Sequence, residues 1–146
     1  MRIKILTDSA CDLPQELQTK YDISVLPLHI QKGNESFLDM VEITPPDIFE
    51  YSDRTGNLCS TAAVNTAEFA VAFARYAEEH EAVIYVSIGA QFSSCFQNAI
   101  IAAEDYANVY VVDSQNLSSG EALIALEAAR FAQSGVEAEN ICAILK

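Results

Sequence analysis

Hydrophobic and polar positions follow two different periods along the chain. Three short apolar segments predict strands: IKILTDS near the start, AVIYVSIGA from residue 82 and VYVVDSQ from residue 109. The last two are almost continuously apolar, which is typical of strands covered on both faces of a parallel sheet. Each segment ends in small polar residues, so we expect polar side chains at the carboxyl ends of these strands.

Helical spacing of apolar residues separates the predicted strands. The spacing predicts two stripes that face a core: Phe69, Ala72, Phe73 and Tyr76 within residues 65–79, and Phe96, Ala99, Ile100 and Ala103 within residues 94–106. The segment GEALIALEAARFA from residue 120 is a further strong helix former. Strands that alternate with helices predict an α/β fold with right-handed crossovers.

Residues 22–44 break this alternation. DISVLPLHIQ and ESFLD are short β-like pieces on either side of a turn at Lys32-Gly33-Asn34. Pro27 indicates an edge or irregular strand. The next segment, TPPDIFEYSDRT, predicts a short helix with Thr44 as its N-cap and prolines in its first turn.

The last segment, VEAENICAILK, restarts an amphipathic helix. Ile141, Ile144 and Leu145 share one stripe, which stops at Lys146 without a C-cap glycine. An apolar stripe that stops in the middle of its pattern predicts that the natural chain continues. We therefore expect residues 1–146 to form a single α/β domain, the N-terminal half of a longer two-domain protein.

Composition narrows the classes of function. The 146 residues are 51% hydrophobic and carry a formal net charge of −13, which allows one domain with a real core and argues against a nucleic-acid partner. No apolar run reaches the roughly 18 residues of a membrane span, and we expect no signal peptide and no integral membrane association. Four cysteines without a C-x-x-C pair and two distant histidines lack metal-ligand spacing. We expect a cytoplasmic protein without a metal or cofactor.

Polar residues at the strand ends are the candidates for a ligand site. Ligands of open parallel sheets bind beyond the carboxyl ends of the strands, where helix N-termini point. Four polar clusters occupy such positions: Thr7-Asp8-Ser9, Ser60-Thr61, Gly89–Ser94 and Asp113-Ser114. Hydroxyls near a helix N-terminus add donors without adding charge, so Ser93, Thr61 and Ser9 could surround one anionic head group. The same residue types also have purely structural uses, because serine caps helices and aspartate or threonine fixes loops and turns.

A catalytic site has weaker support in the sequence. Cys95 follows two serines near a helix start, where a thiol could be activated. His29 and His80 fall outside the neighbouring strand-end loops, so a Ser or Cys nucleophile lacks an evident base. The motifs G-x-S-x-G and G-x-G-x-x-G and the P-loop pattern are absent. Two alternatives stay open: a small hydrolase or transferase that uses Ser93, Ser94 or Cys95 on an acyl or phosphoryl substrate, and a ligand-free interaction module.

Four segments at these strand ends resemble motifs of the DegV family of bacterial fatty-acid-binding proteins. TDSACDLP resembles T-D-S-x-x-D-L-P, and CSTAAVNTAEF resembles T-S-Q-P-x-P-G-E-F. VSIGAQFSSCFQNA resembles S-I-S-S-x-L-S-G-T-Y-Q-S-A, and VVDSQNLSSGEALIALEAARFA resembles V-x-D-S-x-x-x-S-x-G-x-G-x-x-x-x-E-A-A. The likeness runs along nearly the whole chain, in order and at consistent spacing.

The resemblance implies a three-layer sandwich with a mostly parallel sheet and a function in lipid binding. A long-chain fatty acid would lie in a tunnel, with its carboxylate near the junction with a second domain. The carrier would present the acid to a separate fatty acid kinase and have no catalytic machinery of its own. Carried over by position, the carboxylate-binding residues are Thr61 and Ser93. Possible supporting polar residues are Asp8, Ser9, Ser60, Ser94, Gln97 and Ser118, and candidates for contacts with the acyl tail are Phe69, Phe73, Phe92, Phe96 and Ile100.

The chain departs from the family pattern beside both hydroxyls. Ala62-Ala63 replace Ser-Gln after the threonine, and Gly89-Ala90 stand where the family has Ser-Ser. Ser94-Cys95 stand where the family has Gly-Thr, so Ser94 adds a side chain where close backbone approach was possible.

Overall fold

The computed structural model describes residues 2–146 and contains two sheets and six α-helices. The strands are β1 Ile3–Asp8, β2 Ile23–Leu26, β3 His29–Lys32, β4 Glu35–Leu38, β5 Ser60–Ala62, β6 Ala82–Ser87 and β7 Val109–Asp113. The helices are α1 Gln15–Tyr21, α2 Pro45–Thr55, α3 Thr66–Glu79, α4 Cys95–Ala103, α5 Ser118–Gln133 and α6 Ala138–Ile144, with a 3₁₀ turn at Ser9–Cys11.

The main sheet has four parallel strands in the order β2-β1-β6-β7. The three strands predicted from the apolar segments are confirmed, and they form its centre and one edge. Ile5 of β1 pairs with Ile23 on one side and with Ile84 on the other. The fourth strand, β2, forms the opposite edge and ends just before Pro27, as a residue without a backbone N–H requires.

Helices cover both faces of the main sheet. Ile5, Ile84 and Val86 point to one face and pack with alanines of α5 and with α6. Leu6 and Tyr85, one residue along the strands, point to the other face and pack with α3 and α4. The nearly continuous apolar runs follow from this burial on both sides. The three-layer α/β sandwich with a mostly parallel sheet is therefore confirmed.

The two helices nearest the candidate site differ in how well their buried faces were predicted. In α3, Phe69, Ala72 and Phe73 are buried as predicted, and Asn65 caps the helix. In α4 the predicted stripe is confirmed only in part: Ala99 is buried as predicted, Phe96 and Ile100 are partly buried, and the other fully buried positions are Cys95 and Ala102. The small side chains let α4 pack closely against the sheet. Its larger side chains therefore lie beside this contact and are only partly buried.

A second, antiparallel sheet has the order β4-β3-β5. The predicted turn between the two β-like pieces is confirmed, and Gly33 occupies it with a φ of 63°. The segment DISVLPLHIQ contributes strands to both sheets, with the break at Pro27. Strand β5 was not predicted. It pairs with β3 so that Thr61 lies opposite Ile30, and this places Thr61 on a strand rather than on a turn.

The remaining helices follow the local signals of the sequence. Thr44 and Asp47 form the capping box of α2, with the Thr44 backbone N donating to Asp47 Oδ2 at 2.8 Å. In α6, Ile141 is fully buried, whereas Ile144 is 56% exposed, so only part of the predicted stripe packs. Among residues 2–146, no helix has the length and apolar character needed to cross a membrane.

Candidate functional site

A cavity of about 410 Å³ lies where the small sheet meets the N-terminus of α4. Three segments of the chain form its walls: the residue just before β3, strand β5 with the residues after it, and the segment between β6 and α4. The lining residues are Leu28, Thr61, Ala62, Ala63, Ile88, Phe92, Ser93 and Ser94. The two residues predicted to bind a carboxylate therefore line one cavity, although Thr61 lies on β5 of the small sheet and Ser93 lies in the segment between β6 and α4.

The Ser93 side chain makes a structural contact at the start of α4 and carries a hydroxyl that can also donate to a ligand. Its Oγ accepts a hydrogen bond from the Cys95 backbone N at 3.2 Å, which satisfies one N–H at the start of α4. Ser94 occupies the N-cap position without a side-chain capping bond. A hydroxyl that accepts one bond still has its own proton to donate. Capping and ligand binding by Ser93 are therefore compatible.

The N-terminus of α4 has no acidic side chain in its first turn. In contrast, Glu68 occupies the first turn of α3 and Glu121 that of α5. Acidic side chains offset the partial positive charge of a helix N-terminus. The α4 terminus beside Ser93 keeps that charge, and Thr61 is exposed on the strand across the cavity. The arrangement suits a small anionic group.

Gly89 shapes the turn that carries the cavity wall. The backbone N of Phe92 donates to the carbonyl of Gly89 at 2.9 Å, and the Phe92 ring folds back over the glycine. A Cβ at Gly89 would lie 2.8 Å from that ring, closer than side chains approach. The glycine that departs from the family pattern thus allows Phe92 to lie against the cavity.

Asp8 and Ser9, two of the possible supporting residues, lie outside this lining. Asp8 is fully buried, and its Oδ2 accepts from the Tyr85 hydroxyl at 2.6 Å and from the Ile88 backbone N at 2.8 Å. Ser9 Oγ accepts from the Leu28 backbone N at 2.9 Å. These two side chains fix the strand ends that hold Ile88 and Leu28 in the cavity wall.

The other supporting residues divide in the same way. Ser94 lines the cavity. Ser60 neighbours Thr61 on β5 and therefore points to the opposite face of the small sheet. Gln97 is exposed on α4, and the Ser118 hydroxyl donates to Asp12 Oδ2 at 2.5 Å. The structure thus brings together Thr61, Ser93 and Ser94.

The apolar part of the lining was only partly visible in the sequence. Phe92, a predicted tail contact, lines the cavity and is 58% exposed. Phe69 and Phe73 are instead fully buried against Tyr85 in the core. Leu28 was missed, because its place in the same cluster as Ile88 depends on tertiary contacts such as the hydrogen bond from its backbone N to Ser9 Oγ.

A second cavity of about 400 Å³ lies on the other side of the β1 strand end. Its apolar wall combines the 3₁₀ turn and α1 with the loop that follows β4, and the wall includes Cys11, Leu13, Val25, Pro27, Met40 and Val41. Ser9 lines this cavity and not the one with Thr61. The expectation that Ser9 joins the other two hydroxyls around one head group is therefore wrong in geometry.

The groups required for nucleophilic catalysis are not assembled at the serines. Cys95 is fully buried, and burial raises the pKa of its thiol, with hydrogen bonds from Ser93 and the Val64 backbone acting in the opposite direction. His29 Nε2 lies 2.7 Å from Glu68 Oε1, and His80 Nδ1 lies 3.0 Å from the Tyr76 carbonyl. Within the described residues, no cluster of potential metal ligands occurs.

A buried carboxyl group below the strand ends was missed by sequence reasoning. The Thr7 hydroxyl donates to Glu121 Oε1 at 2.9 Å, whereas Oε2 of this fully buried side chain has no partner. Burial, and then the nearby Asp8 carboxylate, raise the pKa of Glu121 to about 10. Glutamate in a helix usually indicates a solvated face. The signal that could have found it is its position on the stripe of alanines that α5 turns to the sheet.

Comparisons with known proteins identify relatives of the whole chain. The family model described as the DegV family matches residues 2–146. A DegV domain-containing protein of Clostridium perfringens is 39% identical over 142 residues, which are 96% of this chain and 51% of that protein. The chain therefore spans about half the length of the curated relatives it matches.

Solved structures with the same fold include two described by what they bind. A DegV family protein from Thermus thermophilus, described by its fatty acid binding, superposes with a TM-score of 0.92 and 32% identity, over 99% of this chain and 52% of that one. A stearic-acid-binding protein from Eubacterium ventriosum superposes with a TM-score of 0.89 and 29% identity, with the same coverage.

Proposed function

The chain belongs to the DegV family, and from this premise we propose that it is a lipid-binding domain that holds the carboxylate of a long-chain fatty acid with Thr61 and Ser93. One observation carries the proposal: Thr61 and Ser93 line a single cavity whose remaining lining, apart from Ser94, is apolar. The similar protein from Thermus thermophilus, described by its fatty acid binding, supports the class of ligand.

Two kinds of donor face the carboxylate in this proposal. The hydroxyls of Thr61 and Ser93 each donate one charge-assisted hydrogen bond, which contributes about 1.5–3 kcal/mol. The N-terminus of α4 adds a partial positive charge that no acidic side chain of its first turn offsets. A neutral site of this type holds an anion without a buried lysine or arginine.

The acyl tail supplies most of the affinity. Each buried CH₂ group contributes about 0.8 kcal/mol, so a long chain outweighs two hydrogen bonds. Leu28, Ile88 and Phe92 form the apolar wall next to the hydroxyls and meet the first carbons of the chain. In this arrangement the tail determines how tightly the acid binds, and the hydroxyls determine its orientation.

We further propose that the whole protein has a second domain and presents the bound acid to a separate kinase. The match to about half the length of the curated relatives supports the second domain. The engagement of both histidines away from the serines supports a carrier rather than an enzyme. The version of the enzyme alternative that uses Cys95 would need a reactive thiolate, and burial raises the pKa of that thiol.

The test is native mass spectrometry of the full-length protein as purified, followed by lipid extraction and titration with stearate. We expect a bound species with the mass of a fatty acid, and its loss in the double variant Thr61→Val/Ser93→Ala. The matched control is Thr19→Val/Ser119→Ala, which removes the same two hydroxyls from exposed positions on α1 and α5. Full occupancy in the first double variant would refute the head-group site. A wild-type protein that stays free of ligand in excess stearate would refute the lipid-binding function.

A further inference from the structure

The connection between β5 and α3 is held by α4. Asn98 of α4 donates from Nδ2 to the Val64 carbonyl at 2.9 Å. Val64 is 2% exposed and belongs to the same buried hydrophobic cluster as Cys95 of α4. One turn of α4 therefore holds Val64 by a hydrogen bond to its carbonyl and by shared burial in the core.

This contact joins the two parts of the carboxylate site. Thr61 lies on β5, just before the connection that contains Val64. Ser93 lies just before α4, and Asn98 lies one turn further into that helix. A helix is rigid over one turn, because each residue is fixed by backbone hydrogen bonds. A change in the position of the Val64 carbonyl relative to α4 would therefore change the distance between the Thr61 and Ser93 hydroxyls.

The far end of the same connection is fixed independently of α4. Glu68 Oε2 accepts from the Asn65 backbone N at 2.9 Å, and Glu68 Oε1 contacts His29 Nε2. These bonds tie the connection to α3 and to the small sheet. They do not connect it to the Ser93 side of the cavity. That connection is made through α4, where the Asn98 side-chain amide donates a hydrogen bond to the Val64 carbonyl.

We propose that Asn98 is a positioning residue that sets the spacing of the Thr61 and Ser93 hydroxyls through its hydrogen bond to the Val64 carbonyl. The inference rests on the proposed function. Asn98 does not line the cavity, so it acts on the ligand through Val64 and Thr61 rather than by contact. Without the amide, the carbonyl lacks its side-chain donor, and the β5–α3 connection can shift relative to α4.

A double-mutant cycle on stearate affinity in the full-length protein tests the proposal. We expect Asn98→Ala to weaken binding about fivefold in the wild-type background and by less than about twofold in a Thr61→Val background, because the spacing matters only while Thr61 can donate. We also expect the change in affinity per added CH₂, measured from C12 to C18 saturated acids, to stay the same. Asn98→Leu, which keeps the side-chain volume, should behave in the same way if Asn98→Ala is too unstable to assay.

The matched control is Asn108→Ala. Asn108 Nδ2 also donates to backbone carbonyls, those of Ala77 and His80, and it lies outside the cavity lining. This variant should lower the melting temperature and leave stearate affinity unchanged. Equal losses of stearate affinity from Asn98→Ala in both backgrounds, or no loss in either, would overturn the positioning role. The carboxylate site would still stand in that case if Thr61→Val alone weakened binding. No effect of Thr61→Val would overturn the site and the positioning role together.

Discussion

The buried carboxyl of Glu121 makes the stability of the chain depend on pH in an unusual direction. Its pKa is raised from an ordinary value of 4.5 to about 10, first by burial and then by Asp8. The folded state therefore binds a proton that the unfolded state releases between these two values. A group with a raised folded-state pKa stabilises fully below its unfolded pKa, and the contribution is lost as pH rises towards the folded pKa. The window runs from pH 4.5 to about 10.

The size of the stability change follows from the pH range, within the Glu121 titration window, over which unfolding can be measured. Each pH unit inside it removes about 1.4 kcal/mol of unfolding free energy. Between pH 5 and pH 8 the contribution of Glu121 falls by up to about 4 kcal/mol, which is a large part of the total stability of an ordinary domain. Glu121→Gln keeps the size of the side chain and an oxygen that can accept from Thr7, and it removes the ionisation.

The assay is urea denaturation followed by far-UV circular dichroism at pH 5, 6, 7 and 8. We expect wild-type stability to fall with pH, and Glu121→Gln to remove most of the slope and to be the more stable protein at pH 8. Glu127→Gln, on the exposed part of the same helix, should keep the wild-type slope. Equal slopes in wild type and Glu121→Gln would refute the reasoning, as would a wild-type stability that rises from pH 5 to pH 8.

Three further predictions concern single residues. Ser93→Ala removes a ligand donor and the acceptor for the Cys95 N–H, so we expect weaker stearate binding by calorimetry and a loss of about 1 kcal/mol in urea denaturation; unchanged affinity would exclude Ser93 from the site. Iodoacetamide at pH 7 should modify half-buried Cys59 before buried Cys95, as peptide mass spectrometry can establish, and faster modification of Cys95 would favour the enzyme alternative. Thr44→Ala should cost about 1 kcal/mol in the same denaturation assay through loss of the α2 capping box, and an unchanged midpoint would contradict that role.

The parts of the fold that the sequence predicted are those that depend on local pattern. The apolar strands and the α3 helix with its Phe69–Phe73 face follow from periodicity over many residues. Strand β5 has three residues and exists only through its pairing with β3, so no local pattern could reveal it. The buried face of α4 was predicted only in part, because the helix turns Cys95 and Ala102 to the sheet together with the predicted Ala99, while Phe96 and Ile100 are only partly buried.

The site shows the same division between local and long-range information. Thr61 and Ser93 were predicted from strand-end position and family resemblance, and the structure brings them to one cavity. Asn98 and Glu121 were missed because their roles depend on partners distant in sequence, Val64 for the first and Thr7 for the second. An amide or a carboxyl on a helix is ordinarily a surface residue, and only the tertiary contacts show that Asn98 is partly buried and Glu121 fully buried.

The division of the site between two sheets couples ligand binding to local unfolding. Thr61 belongs to the small antiparallel sheet, and Ser93 follows a strand of the main sheet. If the small sheet detaches while the main sheet stays folded, the cavity loses one of its walls, and under the proposed function it would release the acid. A ligand that binds only the closed form adds its binding free energy to the cost of that opening. Under the proposed function, backbone amides of β3 and β5 should exchange with deuterium more slowly when a fatty acid is bound, and their exchange rates would report occupancy without a label on the lipid.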